Sequence, residues 1–193
     1  MAVLTRRSLR GVLTASLALA IDRPRAWQAL LDDGGDAGRR ARLSFLAFAC
    51  ALPLIALSAW IDDHRWASIG HVLLADLVAW LAFAVFSEVV LRRAGRGGAW
   101  VRVIAVWNWC SLVQMLLVMP ALLLALVTGC PGWLRLWAGL VVWGWAIWLD
   151  WRAIRLGLGD GPAMTWPALW LTLADLGIGV VCQATAEALP GWG

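Results

Sequence analysis

Charged side chains are scarce in this sequence. Of its 193 residues only 15% are Asp, Glu, Lys or Arg, whereas 62% are hydrophobic. Because a soluble domain carries about a quarter charged residues, this shortage excludes an ordinary soluble globular domain. Apolar runs of about 20 residues, which is long enough to cross a ~30 Å hydrocarbon core, account for the missing charge. The composition therefore predicts a polytopic membrane protein.

Lysine is absent, and all 16 cationic residues are arginine. Together with the abundance of Ala, Gly and Trp, this absence indicates GC-rich codon usage and hence a bacterial protein. The net charge of +4 does not indicate a nucleic-acid partner. The arginines flank apolar segments and do not form a soluble basic face, so the partner they predict is a lipid bilayer.

Motifs for catalysis and for binding metal or phosphate are also missing. No C-x-x-C or His-rich pattern is present, and the glycines of residues 95–98 follow an apolar run where a phosphate-binding loop would follow a strand. Ser111 has no nearby His to activate it. The expected outer face carries acidic and histidine side chains whose spacing matches no known ligand set: Asp62, Asp63, His64 and His71. We predict no catalytic residue, metal site or cofactor.

Cysteine usage leaves one question open. Cys130 and Cys182 are expected near the same membrane face, so a disulfide between them is conceivable, although thiols near spans are more often packing residues.

Five apolar runs predict an all-α fold, a five-transmembrane-helix bundle. The spans are expected at about residues 43–61, 70–91, 100–128, 133–151 and 166–189, within a transmembrane domain of residues 43–193. The third run carries Asn108, Ser111 and Gln114 in its first half and Pro120 in its second. Polar groups are expensive in lipid unless they face protein, so this helix is expected at the centre of the bundle.

Residues 1–42 admit two interpretations. Residues 5–10 resemble a twin-arginine export signal, and residues 18–20 resemble a cleavage site. Alternatively, the segment forms amphipathic helices on the inner membrane face, with Trp27 as an interfacial anchor. Export would leave five arginines between Arg23 and Arg42 outside, against the positive-inside bias. A cytoplasmic amphipathic segment is therefore preferred.

Arginine counts give the orientation. One side of the predicted bundle collects 14 arginines and the other collects two, Arg65 and Arg135. This asymmetry predicts a bacterial inner-membrane protein with its N-terminus in the cytoplasm and its C-terminus outside.

Tryptophans at span ends are expected to anchor the membrane interfaces. Four tryptophans lie deeper, and for them the choice between a lipid-facing and a core position stays open: Trp107, Trp109, Trp143 and Trp145.

Polar residues at membrane depth are the candidate site. At ~1.5 Å rise per residue, Asp76 lies level with Gln114, and Asn108 lies level with Asp175. We expect an intramembrane polar network in which these two pairs join the third span to the second and the fifth. Glu88 is expected to form an ion pair at a helix end with Arg92, and also with Arg102.

Several of these features resemble a known family. The third span contains the element Trp107-Asn108-Trp109, followed by Ser111 and Gln114, and a second matching stretch comprises residues 151–158 and 173–176. Over about residues 9–185 the chain is similar to the bacterial branch of the Yip (Ypt-interacting protein) membrane proteins. The resemblance implies a five-span helical membrane module without enzymatic activity.

Two functions follow from this sequence. The first is a non-enzymatic membrane-organising or partner-binding module, acting with another protein or as a homo-oligomer. The alternative is an oligomeric transporter of a small solute or ion that uses Asp76 and Asp175, because carboxylates inside membranes mark cation and proton pathways. If the same carboxylates are structural, each forms a hydrogen bond between helices that stabilises the bundle by about 0.6 to 2 kcal/mol.

Overall fold

A computed structural model describes residues 6–32, 37–63, 66–129 and 131–188. The described residues are 92% helical and contain no strand. The helices are α1 (Arg6–Ala20), α2 (Arg25–Asp32), α3 (Ala37–Asp63), α4 (Trp66–Arg93), α5 (Gly97–Val127), α6 (Gly132–Leu158) and α7 (Thr165–Ala188), and a 3-10 turn, Pro162–Met164, precedes α7. The predicted all-α class is confirmed.

Four of these helices are long and apolar enough to cross a membrane. Their apolar segments are Ala41–Trp60, Ile69–Arg93, Gly97–Pro120 and Pro162–Ala186. They correspond to the first, second, third and fifth predicted spans. Helix α6 is equally long at 27 residues, but its sequence contains six tryptophans together with Arg135, Asp150 and Arg152. It is not among the four helices whose apolar segments are long enough to cross a membrane.

Glycines in left-handed conformations separate the long helices. Gly95, with φ of +70°, reverses the chain between α4 and α5. Gly159, with φ of +115°, ends α6, and its backbone N–H donates to the carbonyl of Leu156 at 3.1 Å. A left-handed residue after the last turn stops a helix by satisfying its terminal carbonyls, and glycine adopts it without steric cost.

Helix α5 lies at the centre of the bundle, as the sequence predicted. Of its apolar segment 67% is buried, against 17–28% in the other three. Its neighbours are α1, α3, α4 and α6, while α7 packs against α4 and α6. A helix this apolar on all sides must be enclosed by protein or lipid, and here protein encloses most of it.

Helices α5 and α6 approach closely at Gly157. A Cβ added there would lie 2.5 Å from the Cα atom of Val103 and 2.8 Å from its backbone nitrogen. Only a residue without a side chain fits this contact. Close backbone approach at small residues is typical of helix packing in membranes.

The N-terminal helices pack against the bundle. Leu19 and Ala20 of α1 are buried in a cluster with Cys110 of α5 and Leu149 of α6. Trp27 of α2 is only 1% exposed. The interfacial anchor predicted for Trp27 is therefore wrong.

The reason Trp27 can be buried is that its indole N–H finds a partner inside the protein. It donates to the Ser16 hydroxyl at 3.2 Å. A membrane interface attracts tryptophan because it satisfies that N–H while leaving the ring in an apolar environment, and helix α1 provides both conditions.

Polar contacts hold the α1–α2 segment to the end of α6, and we call them the N-terminal latch. Arg152 pairs with Asp22 at 2.7 Å and with Asp160 at 3.4 Å. The Asp160 carboxylate also accepts a hydrogen bond from the Gln28 amide at 3.2 Å. A separate bond runs from the indole of Trp145 to the carbonyl of Ala20 at 3.1 Å.

Among the deeper tryptophans, the structure separates core from surface positions. Trp107 and Trp109 are buried, at 6% and 5% exposure, whereas Trp143 is 65% exposed. Trp145 is half-buried and contacts α1 as described.

Candidate functional site: an acidic cavity among α3 to α7

A cavity of about 550 Å³ lies among helices α3 to α7, and each of these five helices contributes residues to its lining. Three carboxylates face it from three different helices, namely Asp76 of α4, Asp150 of α6 and Asp175 of α7. The described lining contains no arginine or histidine. Its other polar members are Ser111, Gln114 and Gln183, and its aromatic members are Phe48, Trp80, Trp107 and Trp143.

Asp76 joins α4 to α7. Its Oδ1 atom accepts a hydrogen bond from the Gln183 amide at 3.1 Å. The two residues face each other because α4 and α7 pack side by side. An amide donor partly compensates a carboxylate that has left water, and its distance is normal for an N–H···O bond.

Asp175 joins α7 to the central helix. Its Oδ2 atom accepts from the indole N–H of Trp107 at 3.2 Å. The Trp107 ring is in turn held against Phe83 of α4, with ring centroids 4.5 Å apart. This aromatic contact fixes the direction of the N–H and hence the position of the carboxylate.

Asp150 joins α6 to the central helix and was not among the predicted site residues. Gln114 donates through Nε2 to Asp150 Oδ1 at 3.0 Å and to the carbonyl of Ala146 at 2.8 Å. In the sequence, Asp150 stands two residues before Arg152 at the expected end of a span, which makes it look like an interfacial residue. The available signal was its position inside the predicted fourth span, residues 133–151.

Asn108 joins three helices at one buried point. It is 1% exposed. Its Oδ1 accepts from the Trp80 indole at 2.8 Å, and its Nδ2 donates to the Ser44 hydroxyl at 2.8 Å. The Trp80 ring stacks on Phe48, with centroids 4.4 Å apart, at the wall of the cavity. Asn108 thus helps to fix the position of Trp80 in the cavity wall.

The structure gives the predicted network residues different partners. Asp76 bonds to Gln183 where Gln114 was expected, and Asn108 bonds to Trp80 and Ser44 where Asp175 was expected. These two pairings were wrong because depth along a helix does not determine rotation about its axis. Three of the four residues, Asp76, Gln114 and Asp175, line the same cavity.

Of the three residues expected to form an ion pair at the end of α4, two are paired in the structure. Arg92 bonds to Glu88 one turn earlier. Arg102 is exposed on α5.

Two further predictions fall outside the described residues, since His64 and Cys130 are not among them. Within the described ranges, no group of three His, Cys, Asp or Glu side chains is placed to hold a metal ion. Cys50, Cys110 and Cys182 are free thiols.

The arrangement suits a small cation with apolar parts. Carboxylates attract the charge, and aromatic rings attract cations through their π faces. The volume lies within the range of small-molecule pockets, which are mostly apolar with a few placed polar groups. In each carboxylate, one oxygen atom accepts the hydrogen bond described above.

Comparisons of the chain with protein-family models, with curated proteins and with solved structures find no match. Its function is therefore inferred from the geometry of the cavity.

Proposed function

We propose that the chain is a five-span integral membrane protein that binds and transports a small cationic solute, without enzymatic chemistry. One observation carries this proposal: three carboxylates from three helices face one cavity whose described lining has no basic residue. Carboxylates at membrane depth are costly, and they persist where they face a pathway or a partner. A cation entering the cavity would neutralise them.

In this proposal α6 is the remaining span, the fourth in chain order. Its 27 residues rise about 40 Å, enough to cross a ~30 Å hydrocarbon core. The first half of α6 exposes a continuous apolar surface, which includes Leu136, Trp137, Leu140 and Val141. Lipid contact would cover this surface.

The proposed location is the bacterial inner membrane, with the N-terminus in the cytoplasm and the C-terminus outside. The arginine asymmetry supports this orientation. Arg92, Arg93 and Arg96 at the α4–α5 turn and Arg152 and Arg155 at the end of α6 share one end of the bundle with the N-terminal latch. That end would lie in the cytoplasm.

A second candidate is the membrane-organising or partner-binding module implied by the Yip resemblance, as a homo-oligomer or with another protein. One observation favours it. Asp76, Asp150 and Asp175 each accept a hydrogen bond from a neighbouring helix. Such bonds stabilise a bundle even where nothing is transported.

Substitution of Asp175 by Asn separates the two candidates. The Asn side chain retains an oxygen that accepts from Trp107, so the α5–α7 bond survives while the charge is lost. We expect Asp175→Asn in proteoliposomes to abolish uptake of guanidinium or tetramethylammonium, followed with a radiolabel. Glu88→Gln removes a carboxylate outside the cavity and serves as the control, with uptake unchanged.

Two results would count against transport. One is wild-type protein that gives no uptake above empty liposomes for either cation. The other is equal uptake by wild type and Asp175→Asn. If purified Asp175→Asn also lost stability while partner capture or oligomer formation changed, the second candidate would be favoured.

A further inference from the structure

A second, apolar groove lies at the cytoplasmic end of the bundle, between α4 and α7. Its volume is about 690 Å³. Phe86 and Val90 of α4 form one wall, and Trp170 and Leu173 of α7 form the other. All four are exposed. We call this the α4–α7 groove, and it shares no lining residue with the acidic cavity.

Among the residues that line the groove, the positive charge lies at one end. Arg96, in the turn after α4, lines that end, and its guanidinium contacts the sulfur of Met164. Arg93 follows Val90 by three residues, so it lies on the same face of α4 one turn nearer the cytoplasm. From Arg93, the last residue of α4, to Phe86 the helix extends about 10 Å toward the bilayer interior.

We propose that the α4–α7 groove binds one anionic phospholipid of the cytoplasmic leaflet. An acyl chain lies between Val90 and Trp170, and the phosphate lies against Arg96 and Arg93. The combination of an apolar trough inside the bilayer and arginines at its cytoplasmic mouth matches a lipid with one negative headgroup. A zwitterionic lipid would bring a choline cation to the same arginines and gain less.

Lipid titration with native mass spectrometry tests this proposal. We expect wild-type protein to retain phosphatidylglycerol more tightly than phosphatidylcholine of identical acyl chains. One arginine beside an anionic headgroup contributes about a fivefold gain in affinity. Arg96→Gln should therefore weaken phosphatidylglycerol binding about fivefold, and Arg93→Gln with Arg96→Gln about 25-fold. Arg96→Lys should keep most of the affinity.

Arg102→Gln is the matched control because Arg102 is an exposed arginine near the same membrane face that does not line the groove. Its affinity should equal that of the wild type. Equal retention of the two lipids by wild type, or the same loss in Arg102→Gln as in Arg96→Gln, would overturn the proposal.

A measurement on unmodified protein covers the case of a variant that does not fold. Phosphatidylglycerol with a photoreactive acyl chain should label peptides containing residues 86–94 and 167–174. Labelling spread evenly over the exposed apolar residues of α6 would show ordinary lipid contact and contradict a specific site.

Discussion

Asn108 offers the sharpest test of how this bundle is held together. It lies at the crossing of α3, α4 and α5, bonded to Ser44 and Trp80 at 2.8 Å each. Leucine has the same number and branching of side-chain heavy atoms as asparagine but no polar atom. Asn108→Leu therefore removes both bonds without opening a cavity.

The expected loss follows from the two bonds. Hydrogen bonds between membrane helices contribute about 0.6 kcal/mol on average and about 1.7 kcal/mol at most. Because Asn108 makes two, Asn108→Leu should lower the free energy of unfolding by about 1 to 3 kcal/mol. Ser44 keeps its own bond to the carbonyl of Ala41 at 2.7 Å. The Trp80 N–H is left without its acceptor and accounts for the larger part of the loss.

Reversible unfolding in mixed micelles, followed by circular dichroism, measures this free energy. Trp80→Phe removes the indole N–H, and the double variant completes a thermodynamic cycle. We expect a coupling free energy of about 0.6 to 1.7 kcal/mol between the two sites. Thr185→Ala is the control, because that hydroxyl is exposed and bonds within its own helix, to Val181.

Additive effects of Asn108→Leu and Trp80→Phe would refute this reasoning. So would a stability equal to the wild type in Asn108→Leu, since leucine packing would then replace both polar bonds.

Two further predictions concern the close contact and the latch. Gly157→Ala should lower the free energy of unfolding by about 1 to 3 kcal/mol, because its Cβ would overlap the Val103 backbone; Gly144→Ala in the same helix has open space around it and should cost nothing. Equal effects of both glycine variants would contradict that contact. Arg152→Gln should raise trypsin cleavage after Arg25, an exposed residue at the start of α2, about fivefold, because losing the pairs to Asp22 and Asp160 weakens the latch by about 1 kcal/mol. Arg92→Gln, which breaks a pair outside the latch, is its control, and an unchanged cleavage rate in Arg152→Gln would show that other contacts hold α1 and α2.

The sequence predicts the long helices well because each depends on local composition. The apolar runs give the four helices capable of crossing a membrane, and the polar residues in the third give the central position of α5. Helix α6 is less clear, because tryptophan is both apolar and interfacial. Its length and position come from the sequence, but its contacts do not.

The partners in the cavity could not be predicted because they depend on helix rotation and lateral packing. Depth along the helices predicted a contact between Asp76 and Gln114, whereas the packing of α4 against α7 brings Gln183 to Asp76. Asp150 was not predicted as a site residue because it lies two residues before Arg152, at the expected end of a span. Trp27 was misplaced because the sequence shows an amphipathic helix without showing that Ser16 can satisfy the indole.

The contact between α1 and α6 has a consequence for biogenesis. The bond from Trp145 to Ala20 spans 125 residues, and the pair of Arg152 with Asp22 spans 130. At ~5–20 residues per second of translation, the first helix waits roughly 6 to 26 seconds before the part of its docking surface that α6 provides has been made. During that interval its apolar stripe is exposed to membrane or chaperone. Docking of α1 is therefore complete only after α6 has been synthesised, although α1 is the first helix of the chain.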